Sequence, residues 1–194
     1  MNCNRKALVV GIDYYDAVCH LRGCVNDAKR MQSVLNRNED GSVNFAIKTM
    51  LASDKTTRIT RRQLKDAVEK LFSDDSEVAL LYVASHGYVD STGGYLVTSN
   101  VGAGDEGLSM DDVLNLANNS PAKSRVIILD CCHAGKMGNV ANLQNSAILN
   151  EGVTILAGST AEQNADEYGG FGVYTSLLID ALNGAAANLV GDVT

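Results

Sequence analysis

The stretch VIILDCCHAGK, residues 126–136, decides how the rest of the chain is read. Its apolar opening, rich in β-branched residues, has the composition of a strand buried on both faces of a parallel sheet, and it stops abruptly at an acid, two thiols and an imidazole. In an open parallel sheet, ligands bind in the crevice outside the carboxyl ends of the strands, so Asp130, Cys131, Cys132 and His133 stand where chemistry is expected. A second strand of this kind lies upstream: VALLYVAS, residues 78–85, runs into His86 and Gly87. If the two strands are neighbours, His86 and one cysteine face each other across the crevice.

The remainder of the chain repeats the pattern. Short apolar runs (KALVVGI, VNFAIKTML, VTILAGS) alternate with the helix-period segments VNDAKRMQSVLNRN, TRRQLKDAVEKLF, MDDVLNLANN and VYTSLLIDALN. Strands alternating with helices predict an α/β fold with a mostly parallel central sheet and helices on both faces. GGYLVTS reads as a hairpin-like piece outside that sheet, and Pro121 predicts a helix stop over Asn118–Ser120, because a residue before proline is pushed out of helical angles. The least regular interior stretch runs from about residue 136 to 151 and reads as a linker.

At 194 residues, with 45% apolar and 20% charged content, the chain has the make-up of one globular domain over residues 1–194. A formal net charge of −7 argues against nucleic acid or an anionic membrane as partner, since both need clustered Lys and Arg. The N-terminal MNCNRKALVVGID has the form of neither a secretory signal nor a membrane span, so a cytoplasmic location is expected. Five cysteines in no scaffold or C-x-x-C spacing fit reduced thiols and predict no metal site. VVGIDYYD lacks the G-x-G-x-x-G of a dinucleotide-binding turn, which counts against a nucleotide-binding module.

A thiol beside an imidazole can pass its proton to the ring and become the thiolate, the true nucleophile, while the imidazolium then protonates a leaving amine. The amides of Gly87 and Cys132 are candidates for an oxyanion hole, and glycine after the histidine permits close approach. This chemistry requires no cofactor. Neighbouring strand residues point to opposite faces, so only one of Cys131 and Cys132 can enter the crevice. Tyr14 and Tyr15 either rim the crevice or cover the core.

SHG after one strand and DCCHAG after the next resemble the dyad motifs of the caspase and metacaspase clan. LRGCVNDA (21–28), ILAGSTAEQNADE and GVYTSLLIDAL extend the resemblance in the same order over most of the chain, nearer to metacaspases than to animal caspases, whose Q-A-C-x-G is absent. The resemblance implies a caspase-like three-layer sandwich, with a large-subunit-like part over residues 1–135 and a small-subunit-like part over 152–194. It implies a cysteine endopeptidase with His86 as base and, from D-x-C-H-x-G, Cys132 as nucleophile. It also implies that Asp130, Asp27 and Cys24 line the pocket for the residue before the cleaved bond. Two carboxylates there would favour a guanidinium or ammonium, so the expected partner is a protein or peptide substrate with Arg or Lys at that position.

Three departures qualify the resemblance. Val83, Ala84, Ser85, His86, Gly87 stand where metacaspases often carry Y-S-G-H-G, so the serine is displaced by one place. Asp111 and Asp112 match part of a calcium-binding set, but the other acids are sparse, which leaves calcium open and weighs against a requirement for it. Lys136 alone offers a basic site for self-cleavage in the linker. The rival function is a catalytically silent scaffold within a longer protein, and the tail AAANLVGDVT, ending without a stop signal, leaves room for further domains or an activator beyond Thr194.

Overall fold

The computed structural model describes residues 4–38, 40–102, 105–131, 149–159, 167–168 and 170–185. Cys132, His133 and most of the 136–151 linker lie outside the described residues.

Five parallel strands, β1 (Arg5–Ile12), β2 (Ala46–Ala52), β3 (Val78–Ala84), β7 (Ser124–Asp130) and β8 (Val153–Ala157), form the central sheet in the order β2-β1-β3-β7-β8. The strand VALLYVAS therefore does lie beside the one that opens VIILDCCHAGK, with Val78 opposite Ser124 and Ala84 opposite Asp130. A separate antiparallel sheet, β4 (Gly87–Asp90), β5 (Gly93–Leu96) and β6 (Leu108–Ser109), contains the GGYL piece expected outside the main sheet. A short hairpin, β9 (Glu167–Tyr168) and β10 (Phe171–Gly172), leads into the last helix.

The helices are α1 (Cys24–Asn36), α2 (Arg61–Phe72), α3 (Met110–Asn118) and α4 (Val173–Asp180), and α3 ends before Ser120 and Pro121 as predicted. Among the described residues no helix is long and apolar enough to cross a membrane. Strand alternation divides the core in two. Leu8, Val10 and Ile12 of β1, Leu81 and Val83 of β3, and Ile127 and Leu129 of β7 pack beneath α2 and α3. Ala7, Val9, Leu80, Tyr82, Ala84 and Ile128 pack on the other face, beneath α1 and α4. Asp130 and Cys131, being adjacent, inherit opposite faces: Cys131 is 1% exposed in the α2/α3 core.

Two helix starts are anchored in different ways. Thr60 and Gln63 form a capping box at α2, each side chain bonding the other's backbone N–H. The start of α1 has no cap of its own; Asp13, just past the end of β1, accepts from the amides of Cys24 at 2.9 Å and Val25 at 3.4 Å. This tie presses α1 on β1, where a Cβ on Gly11 would meet the Cys24 carbonyl and lie 2.8 Å from Ala28 Cβ. Gly11→Ala is therefore expected to lower the urea midpoint with an unchanged slope, at a cost of about 1–3 kcal/mol, as overpacking of a filled interface does.

Candidate active site

His86 follows the last residues of β3 at the point where the chain leaves the parallel sheet for the antiparallel one. Hydrogen bonds at its amide, its carbonyl and its ring hold it there. Its backbone N–H donates to Tyr15 Oη at 2.8 Å, its carbonyl accepts from Val97 N–H at 3.0 Å, and its ring Nε2 lies 2.9 Å from the Cys19 carbonyl. A carbonyl only accepts, so Nε2 carries the proton and Nδ1 is the ring's basic nitrogen. Tyr15, 1% exposed, donates its own hydroxyl to the Ile12 carbonyl at 2.9 Å and lays its ring against the imidazole with centroids 4.7 Å apart. The choice left open for this tyrosine is thus decided: it is core, and from the core it positions His86. Tyr14 stacks instead on His20, whose Nδ1 accepts from Tyr15 N–H at 3.2 Å, so His20 serves the loop.

Cys19 was not singled out in the sequence. Its exposed thiol lies 3.7 Å from His86 Nε2. Nothing in its neighbourhood, DAVCHLR, marks it, because the contact is made by the path of the loop after β1. Gly87 opens β4 opposite Leu96.

The two expected pocket acids are brought together. Asp27 on α1 is 2% exposed and accepts from Gly172 N–H at 2.7 Å. Asp130 at the end of β7 is 6% exposed and accepts from Thr175 Oγ1 at 2.6 Å and Thr175 N–H at 3.3 Å. Because the Thr175 hydroxyl donates to the carboxylate, its oxygen accepts from Tyr82 Oη at 2.6 Å, giving a buried relay from tyrosine to acid. Burial pushes the Asp130 carboxyl above its ordinary value of 3.8, and the two bonds from Thr175 pull it back in part. Gly172 sits between the acids so tightly that a Cβ there would collide with both.

Both acids are enclosed and are engaged by the start of α4. Arg22, just before α1, is exposed. Arg30 is the guanidinium beside them instead, its Nη1 3.9 Å from Asp27 Oδ1 and 3.0 Å from Ser176 Oγ, with the group 5.0 Å over the Phe171 ring. Cys24 is buried at the head of α1 in the core beneath that helix. Among the described residues no three His, Cys, Asp or Glu side chains gather as a metal site.

A parallel sheet that ends in a histidine on one strand and a buried acid on the next, with helices on both faces, is the architecture of a caspase-type domain. The family model for the caspase domain matches residues 4–193, and the chain belongs to that peptidase family. Metacaspase-6 of Arabidopsis thaliana is 32% identical over 155 residues, 72% of this chain and 40% of that protein. Metacaspase-1 of Debaryomyces hansenii is 32% identical over 120 residues, 58% of this chain and 25% of that one. The chain therefore spans two fifths or less of the length of these relatives. Among solved structures, the Drosophila initiator caspase Dronc superposes with a TM-score of 0.59 at 12% identity, covering 94% of this chain and 65% of its own, which bears out the caspase-like fold.

Two outcomes follow from the geometry. Tyr15→Phe leaves the His86 amide without its acceptor and is expected to cost about 1–3 kcal/mol in denaturant unfolding. For Asp130 the folded state holds the carboxyl proton more tightly than the unfolded chain, so the stability it contributes is present below pH 3.8 and is lost as pH rises through its raised value. Asn keeps an acceptor for Thr175 and carries no charge. The melting temperature of Asp130→Asn relative to the parent is therefore expected to become more favourable between about pH 3 and pH 7; calorimetry across that range checks the sign.

Proposed function

We propose that this chain is a cysteine endopeptidase in which His86 activates Cys132 and which cleaves after arginine or lysine. The observation that carries the reading is the register of β3 on β7: Ala84 is opposite Asp130, and His86 and Cys132 follow those two residues by equal steps along the sequence. The pairing continues past the strand ends, since Ser85 N–H reaches the Asp130 carbonyl at 3.4 Å. Neighbouring strands are about 4.8 Å apart, a separation suited to a thiol and an imidazole that exchange a proton.

In this reading Cys132 gives its proton to Nδ1 of His86, with Nε2–H kept on the Cys19 carbonyl so that the ring cannot turn away. The thiolate adds to the substrate carbonyl carbon, and the Gly87 and Cys132 amides stabilise the developing oxyanion. Collapse breaks the C–N bond as the imidazolium returns its proton to the leaving nitrogen. Water then hydrolyses the thioester with His86 as base. No cofactor is needed for either half. Asp27 and Asp130 attract the guanidinium or ammonium of the residue before the cleaved bond, where two carboxylates at low dielectric outweigh the single Arg30 beside them.

Cys19 supports a second reading, in which its thiol beside His86 is the nucleophile. Purified protein assayed on arginine-, lysine- and aspartate-ended aminocoumarin peptides separates the cases. The expected result is turnover of the first two, lost at least about 10³-fold in Cys132→Ala and His86→Ala and retained in Cys19→Ala. Loss in Cys19→Ala with turnover kept in Cys132→Ala would transfer the nucleophile to Cys19. Preference for aspartate would overturn the pocket and leave the dyad.

A further inference from the structure

The two faces of the sheet offer His86 different surroundings. The acids Asp27 and Asp130 lie on the α1/α4 face, held by Gly172 and Thr175. On the opposite side of the imidazole is a cleft of about 540 Å3, whose wall includes His86 itself together with Val18, Cys19, Tyr88, Val97 and Val101. Val97 and Val101 belong to or pack on the α2/α3 core. Val18 and Tyr88 are among the large apolar side chains that the fold leaves exposed, at 42% and 47%. The cleft is mostly apolar, open at one side, and of a size typical for a ligand site.

We infer that this cleft receives a large apolar side chain, aliphatic or aromatic, of the substrate residue that follows the cleaved bond. The inference rests on the dyad reading above and extends it to the leaving-group side. An imidazole that protonates a leaving nitrogen must lie nearest the chain on that nitrogen's side, so the departing residue passes the face of His86 turned away from the acids. The wall it meets there is Val18, Tyr88 and Val101, apolar surface that is wet in the free protein, with Glu106 the carboxylate among the lining residues. A leucine or phenylalanine would cover it and gain the transfer free energy of both surfaces, whereas glycine would leave it exposed and aspartate would bury a charge without a partner. Charge would thus select the residue before the bond, and apolar area the residue after it.

Internally quenched peptides with arginine before the bond and glycine, alanine, leucine, phenylalanine or aspartate after it test this directly. The expected kcat/KM for leucine and phenylalanine exceeds that for glycine by at least about tenfold, with aspartate lowest. Val18→Asp places a second carboxylate on the wall, beside Glu106, in the place of apolar surface and should collapse the leucine-to-glycine ratio toward one; far-ultraviolet dichroism reports whether this variant is folded, and the parent's own profile decides the matter if it is not. Turnover lost in Cys132→Ala but flat across the five peptides overturns the inference and leaves the dyad standing. Turnover of none of them, or turnover indifferent to Cys132→Ala and His86→Ala, overturns both.

Discussion

The start of α4 is held by two carboxylates that come from elsewhere in the chain, and the C-terminal part of the molecule is tied to the sheet through that contact. A helix leaves its first amides without intrahelical partners, and α4 has no side-chain cap of its own. Asp27 from α1 and Asp130 from β7 accept from Gly172 and Thr175 in its place. Negative charge at a helix start is favourable, burial of that charge is not, and for Asp130 burial is the larger effect. Asp130 therefore carries a cost that a neutral side chain would relieve. A carboxyl retained at such a cost is the pattern of a site in which charge has a task. Gly172 belongs to the same constraint, since any Cβ there would push the acids apart.

The histidine is constrained with equal thoroughness by a different means. Its amide and one ring nitrogen are held by the loop after β1, through Tyr15 and the Cys19 carbonyl, and its carbonyl is held by the exit from β5. It stands at the seam where the parallel sheet gives way to the antiparallel one, so its backbone is fixed by both sheets. A base whose rotamer and tautomer are set in advance loses little freedom when a substrate arrives. His86 is thus positioned largely by main-chain groups, which substitutions elsewhere in the sequence scarcely alter.

The frame was legible in the sequence because its determinants are local. Strand runs, helix periods, the stop before Pro121 and the terminal groups of VALLYVAS and RVIILD can all be read within a dozen residues. So could the separation of Asp130 from Cys131, which needs only the alternation of a strand. What escaped was set by loop paths and by contacts distant in sequence. Tyr15 could be core or rim until the loop placed its hydroxyl under His86, and Cys19 carries no local mark at all. Asp13 reads as an ordinary loop acid, yet it caps α1 across 11 residues. Thr175 lies in a helix pattern, GVYTSLLIDAL, whose periodicity gives no hint that its first turn would be capped from two other elements. Arg30, one turn along α1 from Asp27, is the guanidinium that approaches that acid in space.

Alternation along β7 then explains why the site has two characters. Asp130 and Cys131 point to opposite faces because they are adjacent, so the acid joins the polar cluster beneath α4 while the thiol after it seals the apolar core beneath α2 and α3. Every strand end in the sheet obeys the same parity, and the crevice above them inherits it: charged on one flank of His86, apolar on the other. A one-residue slip of β7 against β3 would exchange the flanks, burying the carboxylate among Leu129's neighbours and turning Cys131 toward α4. The register that brings two strand ends together in sequence order is therefore also what decides which flank of the imidazole is polar, and substrate polarity on the two sides of a cleaved bond would follow from a single choice of strand pairing.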